Sequence, residues 1–259
     1  MTDYIQQYAY SILKAAKPWP DAIKTRHYKK WRPNATPFET PWAARLDAYQ
    51  FGGIDRHATI KAFRNFNESL VSLDANQRVQ TVRKILEWGR VRPRTPWGEY
   101  EVNAVINAAR SDSPLQNLVP WSSSWTKIAA AATIDADFKP SPIVPQVIWD
   151  SRVSFAIAEL SQDSVPGNKL GLLIVQGRTE GREPSSVRTQ KLKEQGWKFA
   201  QGSWKQRSAA FWKSQKGGSL LIREMTFLLN NHPDFEAERE HHAKWTSFDT
   251  ALALFVEGY

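Results

Sequence analysis

The chain has 259 residues, no cysteine, and 35 Lys and Arg against 26 Asp and Glu, a net charge of +9. The missing cysteines exclude a disulfide scaffold, a thiol nucleophile, a thiolate zinc site and a cysteine-held iron–sulfur cluster. The charge is an argument about partners: nucleic acid, an anionic surface or an acidic protein.

Taken in chain order, the pattern is mostly helical, and the expected fold class is all-α. Tyr4, Ile5, Tyr8, Ala9, Ile12 and Leu13 keep a helical period over 3–16, and Lys17-Pro18-Trp19-Pro20 ends it. The prolines of 32–42 predict a loop. Helices are expected over 59–73 and over 75–89, the second capped by Asp74, and again over 98–110 beyond the break at 92–96. Residues 115–118 read as an apolar turn. Ser123 or Ser124 caps an alanine-rich helix over 125–134, and a proline-bearing loop leads to a helix over 148–160. Pro166–Asn168 reads as a turn, 170–175 as a strand or buried helical segment, and 177–186 as an exposed loop. Three helices follow near 187–196, 203–214 and 219–230, then a helical stretch over 236–256 that breaks near Thr246-Ser247. No repeat or long linker divides the chain, so 1–259 is read as a single compact helical unit with two lobes. No apolar stretch approaches the length of a membrane span, and Met1–Gln7 does not resemble a signal peptide, which predicts no membrane partner and a cytoplasmic location.

The charge is unevenly spread. Residues 1–130 hold 19 basic and 11 acidic side chains, 176–223 hold 11 and 3, and 224–259 hold 2 and 7. Three basic clusters carry aromatic residues: Lys24 to Arg32, including Lys29 and Lys30; Arg83 to Arg94, including Arg90, Arg92 and Arg94; and Arg178 to Lys213, including Arg182 and Arg188. Basic side chains supply phosphate contacts, and aromatic rings can stack on bases. Solvated helix faces with aromatic undersides explain the same pattern, and core packing is the default for the 12 tryptophans. The acidic tail is a candidate surface for a protein partner. His241 and His242, being adjacent, face different sides of a helix and do not form a natural metal pair.

The stretch 115–160 carries the chemistry. Lys127 falls in the first turn of an apolar helix, and Asp150 falls at the N-cap position of the next one. A lysine must be neutral to act as a nucleophile, and both desolvation and the positive end of a helix favour that form. A carboxylate nearby can accept its proton. A capping aspartate and a surface lysine packed on Trp125 would account for the same two residues.

Two motifs in this stretch resemble the helix–hairpin–helix DNA glycosylases, above all the 8-oxoguanine glycosylase branch and a bacterial group with a similar fold. Thr126-Lys127-Ile128-Ala129 is similar to the Thr-Lys pair that opens an alanine-rich helix in that family. Ile148-Trp149-Asp150-Ser151-Arg152-Val153 is similar to its second motif, typically Asp-Ser-Arg-Val in the bacterial group. Trp121-Ser122-Ser123-Ser124 stands where the hairpin glycines would be, and Arg152 stands where a histidine is usual. The resemblance implies a two-lobed helical glycosylase-like fold, and a DNA glycosylase acting on a damaged or modified base in double-stranded DNA, with or without strand cleavage by β-elimination. It makes Lys127 the Schiff-base lysine and Asp150 its assisting carboxylate, with no metal and no cofactor. Ser122, Ser123 and Ser124 would offer hydroxyls to phosphate, and Arg152 would contact a phosphate or pair with Asp150. Lys29, Lys30, Arg92, Arg94, Arg178 and Arg182 would grip the duplex. The alternatives are a catalytically silent DNA-binding module of a larger system such as phage defence, and a basic helical scaffold protein.

Overall fold

A computed structural model of the chain describes residues 2–17, 40–51, 53–72, 74–91, 96–111, 119–138, 143–161, 163–176, 184–201 and 204–258. Lys29, Lys30, Arg92, Arg94, Arg178, Arg182 and the apolar turn at 115–118 lie outside these residues. The helices in order are α1 (Thr2–Ala15), α2 (Pro41–Asp47), α3 (Arg56–Ser72), α4 (Ala75–Trp88), α5 (Glu99–Arg110), α6 (Ser123–Thr133) and α7 (Ser151–Leu160). They continue as α8 (Ser164–Lys169), α9 (Ser185–Glu194), α10 (Trp204–Asn231), α11 (Glu236–His241) and α12 (Ser247–Glu257). A two-residue hairpin, β1 (Gln50–Phe51) and β2 (Ile54–Asp55), pairs antiparallel with Phe51 opposite Ile54. The chain is mostly helical, and none of the helices among the described residues is long and apolar enough to cross a membrane.

Helices α3, α4, α5 and α6 pack chiefly on one another. Helices α1, α2, α7, α8, α10, α11 and α12 form a second mutually packed group. One continuous hydrophobic core joins the groups, with the Phe63 and Phe248 rings 4.7 Å apart across the seam. The tryptophans among the described side chains serve this core: Trp42, Trp125, Trp149, Trp212 and Trp245 are among the largest fully buried side chains.

The central helices follow from composition. Helix α6 holds Ala129 to Ala132, strong helix formers, and is buried from Ser124 to Thr133. A helix apolar all round belongs in a core, and small side chains let α3 and α5 approach it closely. Helix α12 is buried from Ser247 to Val256 and is closed at its start by a capping box between Thr246 and Asp249.

Several expectations change. Residues 170–175 form neither a strand nor a helix and make only an isolated parallel bridge from Ile174 to Phe199, and the helix expected over 148–160 starts at Ser151. Pro41 opens α2 instead of extending a loop, because proline is favoured in a helix's first turn. Residues 164–169 form α8, where Asp163 caps the helix by accepting from Val165 N–H at 2.8 Å. The helices expected at 203–214 and 219–230 are one 28-residue helix, α10. Gly217 and Gly218 do not break it. A Cβ at Gly218 would lie 2.2 Å from the Trp149 ring, and one at Gly217 would lie 2.4 Å from the Leu170 carbonyl oxygen. Gly218 is a packing notch that seats Trp149, the residue before Asp150, and Gly217 is one that admits the Leu170 backbone. The alanine-rich helix starts earlier than expected, with Ser122 as its N-cap in place of Ser123 or Ser124.

Candidate functional site

A cleft of about 830 Å³ opens where the two helix groups meet. The first group contributes Trp88, Gly89, Arg90 and Val91 from the end of α4, and Ser123 and Lys127 from the start of α6. The second contributes Asp150 to Val153 from the start of α7, and Phe248, Ala251, Leu252 and Phe255 from α12. Tyr49, Phe51, Val175 and Gln176 complete much of the lining. Lys127, Asp150 and Arg152 therefore share one cavity, although 23 residues of chain separate the first two.

Asp150 is a true N-cap. Its Oδ1 accepts from the Arg152 and Val153 backbone N–H groups at 3.0 and 3.1 Å. Such a cap contributes about 1 kcal/mol and leaves the second oxygen for other work. That oxygen, Oδ2, lies 3.9 Å from Arg152 Nη1, at the edge of an ion pair, while the Arg152 guanidinium lies 4.7 Å over the Phe255 ring. The segment before Asp150 is pinned by buried polar side chains. Trp149 N–H donates to Thr126 Oγ1 at 3.2 Å, Val147 N–H donates to Ser219 Oγ at 3.3 Å, and Gln215 donates to the Val147 carbonyl at 3.3 Å. The Thr126 bond ties the residue beside Lys127 to the residue beside Asp150, so one contact fixes the spacing of both motifs.

Lys127 is the only charged residue of α6 and is 6% exposed, not a surface lysine. Its Nζ donates to the Ser123 carbonyl at 3.2 Å and forms no ion pair among the described residues. Burial lowers its pKa from the ordinary lysine value; Asp150 acts in the opposite direction and Arg152 in the same one. Its stem crosses the end of α4 where Gly89 leaves room: a Cβ there would lie 2.7 Å from Lys127 Cδ and 2.9 Å from Cε.

The serines differ in role. Ser122 caps α6 by accepting from Trp125 N–H at a long 3.4 Å. Ser123 lines the cleft, and its carbonyl accepts from both Lys127 and Thr126. Ser124 is 2% exposed, which removes its hydroxyl from any contact with a phosphate outside the fold. Within the third basic cluster, Arg188 also turns inward, pairing with Glu159 at 2.6 Å and donating to the Gly258 carbonyl. Trp197 and Trp212 of that cluster are core residues.

Sequence reasoning missed the aromatic wall. Phe51 lies 5.2 Å from Trp88 and 5.7 Å from Phe255, ring centre to ring centre, and Tyr49 lies 5.7 Å from Phe255. These residues come from a hairpin and two distant helices, so no local spacing announces them.

Compared with known proteins, the chain matches no family model, no curated protein and no solved structure. The likeness to the glycosylases rests on its two short motifs.

Proposed function

We propose that the chain is a DNA glycosylase-like enzyme that removes a damaged or modified base through a lysine Schiff base. The observation that carries this reading is the buried Lys127 amine, with a lowered pKa and no ion-pair partner among the described residues, in one cleft with Asp150. Burial favours the neutral form of the amine, which is the form that acts as a nucleophile, and apolar surroundings are a standard way to favour it. A nucleotide turned out of the duplex would enter the cleft between the two helix groups, with its base against the aromatic wall. Lys127 attacks C1′ as the glycosidic bond breaks, and the departing base takes the bonding electrons and a proton. Asp150 Oδ2 faces the positive charge that develops on the sugar and serves as the proton relay for the amine. Opening of the sugar ring leaves an imine, from which β-elimination cuts the strand and water releases the lysine.

The test is borohydride trapping against a panel of duplexes carrying modified bases or abasic sites. A covalent adduct is expected with the native chain and none with Lys127→Ala. Absence of both adduct and base release on every substrate overturns the lysine mechanism. DNA binding that falls steeply with salt would then leave a binding module, and absence of binding would leave a scaffold.

A further inference from the structure

The corner that ends α4 holds a non-glycine residue in the left-handed conformation. Val91 N–H donates to the Leu86 carbonyl at 3.1 Å, and Arg90 N–H donates to the Glu87 carbonyl at 3.0 Å. This pair of bonds closes a helix with a single left-handed residue after its last turn. Here that residue is Arg90, with φ 50°, the one non-glycine residue of positive φ among the described residues. Glycine adopts this conformation without steric penalty and is the usual choice. The nearby glycine, Gly89, has an ordinary helical φ of −71°. What matters at Gly89 is the missing Cβ, which lets the Lys127 stem pass. The left-handed place is therefore occupied by arginine against its conformational preference. Such residues concentrate at ligand sites, where surrounding structure holds them in a strained state for a purpose.

The surroundings say what that purpose is. Arg90 is exposed and lines the cleft, and its guanidinium forms no hydrogen bond or ion pair with the described residues. Arg152 adds a second guanidinium to the same cavity, against the single carboxylate of Asp150 in its lining. The N-termini of α6 and α7 add the positive ends of two helices. A planar guanidinium matches two phosphate oxygens at once. We propose that Arg90 is a phosphate-binding residue whose left-handed turn presents its guanidinium to a phosphate of the nucleic-acid backbone beside the nucleotide that Lys127 attacks. The inference rests on the nucleic-acid reading given above.

The experiment compares the native chain, Arg90→Gly and Arg90→Lys. Each is titrated by fluorescence anisotropy against a duplex with one tetrahydrofuran abasic analogue over a range of salt, and its thermal midpoint is measured. Arg90→Gly is expected to bind about tenfold more weakly, with the slope of log K against log salt reduced by about 1. Its thermal midpoint is expected to rise, because the strained position now holds glycine. Arg90→Lys keeps the native slope and recovers part of the affinity, since it restores the charge without the fork. Native affinity and slope in Arg90→Gly overturn the proposal while leaving the nucleic-acid reading intact, and a lowered midpoint overturns the strain argument. If the native chain itself fails to bind the duplex at low salt, the nucleic-acid reading fails and the proposal fails with it. Arg90-dependent binding of a free deoxynucleoside monophosphate, without binding of the duplex, also overturns it by making the phosphate that of a small molecule.

Discussion

Helices α6 and α7 start at the same cleft, and the charges near their starts differ: Asp150 caps α7 with Arg152 in the turn that follows, whereas α6 has no acidic residue at its start and carries Lys127 one turn in. Helix α7 begins as a stable helix should, with the Asp150 carboxylate accepting from two exposed backbone donors at the positive end of the helix dipole. Helix α6 begins with a long Ser122 cap, and one turn later it buries the cation of Lys127 at an end that disfavours positive charge. The flanking alanines, the buried tryptophans and the Thr126–Trp149 bond show that α6 is otherwise well made. The capping rule is met by Asp150, while burial of Lys127 runs against local stability, and Lys127 is the residue that the proposed mechanism uses.

The sharpest way to break this comparison is to remove the misplaced cation. Lys127→Met should abolish adduct formation yet raise stability by about 1–2 kcal/mol at neutral pH, the trade expected when an active-site group is replaced by a packed apolar one. The pH dependence follows in sign. The lysine pKa is lowered on folding. Between the lowered value and the ordinary one near 10.5 the unfolded chain holds a proton that the folded chain has released. Native stability therefore gains as pH rises through that window, and the full penalty is present below it. The advantage of Lys127→Met in urea denaturation should shrink as pH approaches the ordinary lysine value. An advantage that stays constant with pH would mean that burial of the charge is not its source.

At α7 the cap and the charge can be separated. Asp150→Asn keeps an oxygen that accepts the Arg152 and Val153 N–H groups, so it should cost under about 1 kcal/mol, while Asp150→Ala loses the cap and should cost about 1–2 kcal/mol. Both should slow base release by about 10²–10⁴-fold, because both remove the proton relay. Asp150 raises the Lys127 pKa, so Asp150→Asn should move the acid limb of the trapping profile to lower pH. Full activity in Asp150→Asn would reduce Asp150 to a cap.

The contrast was legible from sequence in one respect and hidden in another. The cap position of Asp150, the cation in an alanine-rich helix and the periodicity of α1, α3 and α4 are local features, so spacing reveals them. The depth of Lys127 is a tertiary fact, set by α3, α4 and α5 packing around α6. The aromatic wall is hidden for the same reason, because Phe51, Trp88 and Phe255 meet only after folding. Helix α2 was concealed by Pro41 and the continuity of α10 by Gly217-Gly218. In both places residues that usually punctuate a chain serve another end, Pro41 a helix start and Gly217 and Gly218 close approaches to Leu170 and Trp149.

The smallest expected effect comes from making α6 begin as α7 does. Ser122 accepts from Trp125 N–H at 3.4 Å, so little capping energy is at stake there. Ser122→Asp supplies a carboxylate at the N-cap, with an expected gain of about 0.5 kcal/mol from the helix dipole. The same negative charge, one turn from Lys127, favours the protonated amine and moves the trapping profile to higher pH. Stability and reactivity at neutral pH should thus change in opposite directions, and the paired readouts of urea midpoint and trapping rate measure both. A variant that is both more stable and unchanged in its trapping profile would show that the start of α6 does not tune the amine, and the contrast between the two helices would lose its chemical meaning.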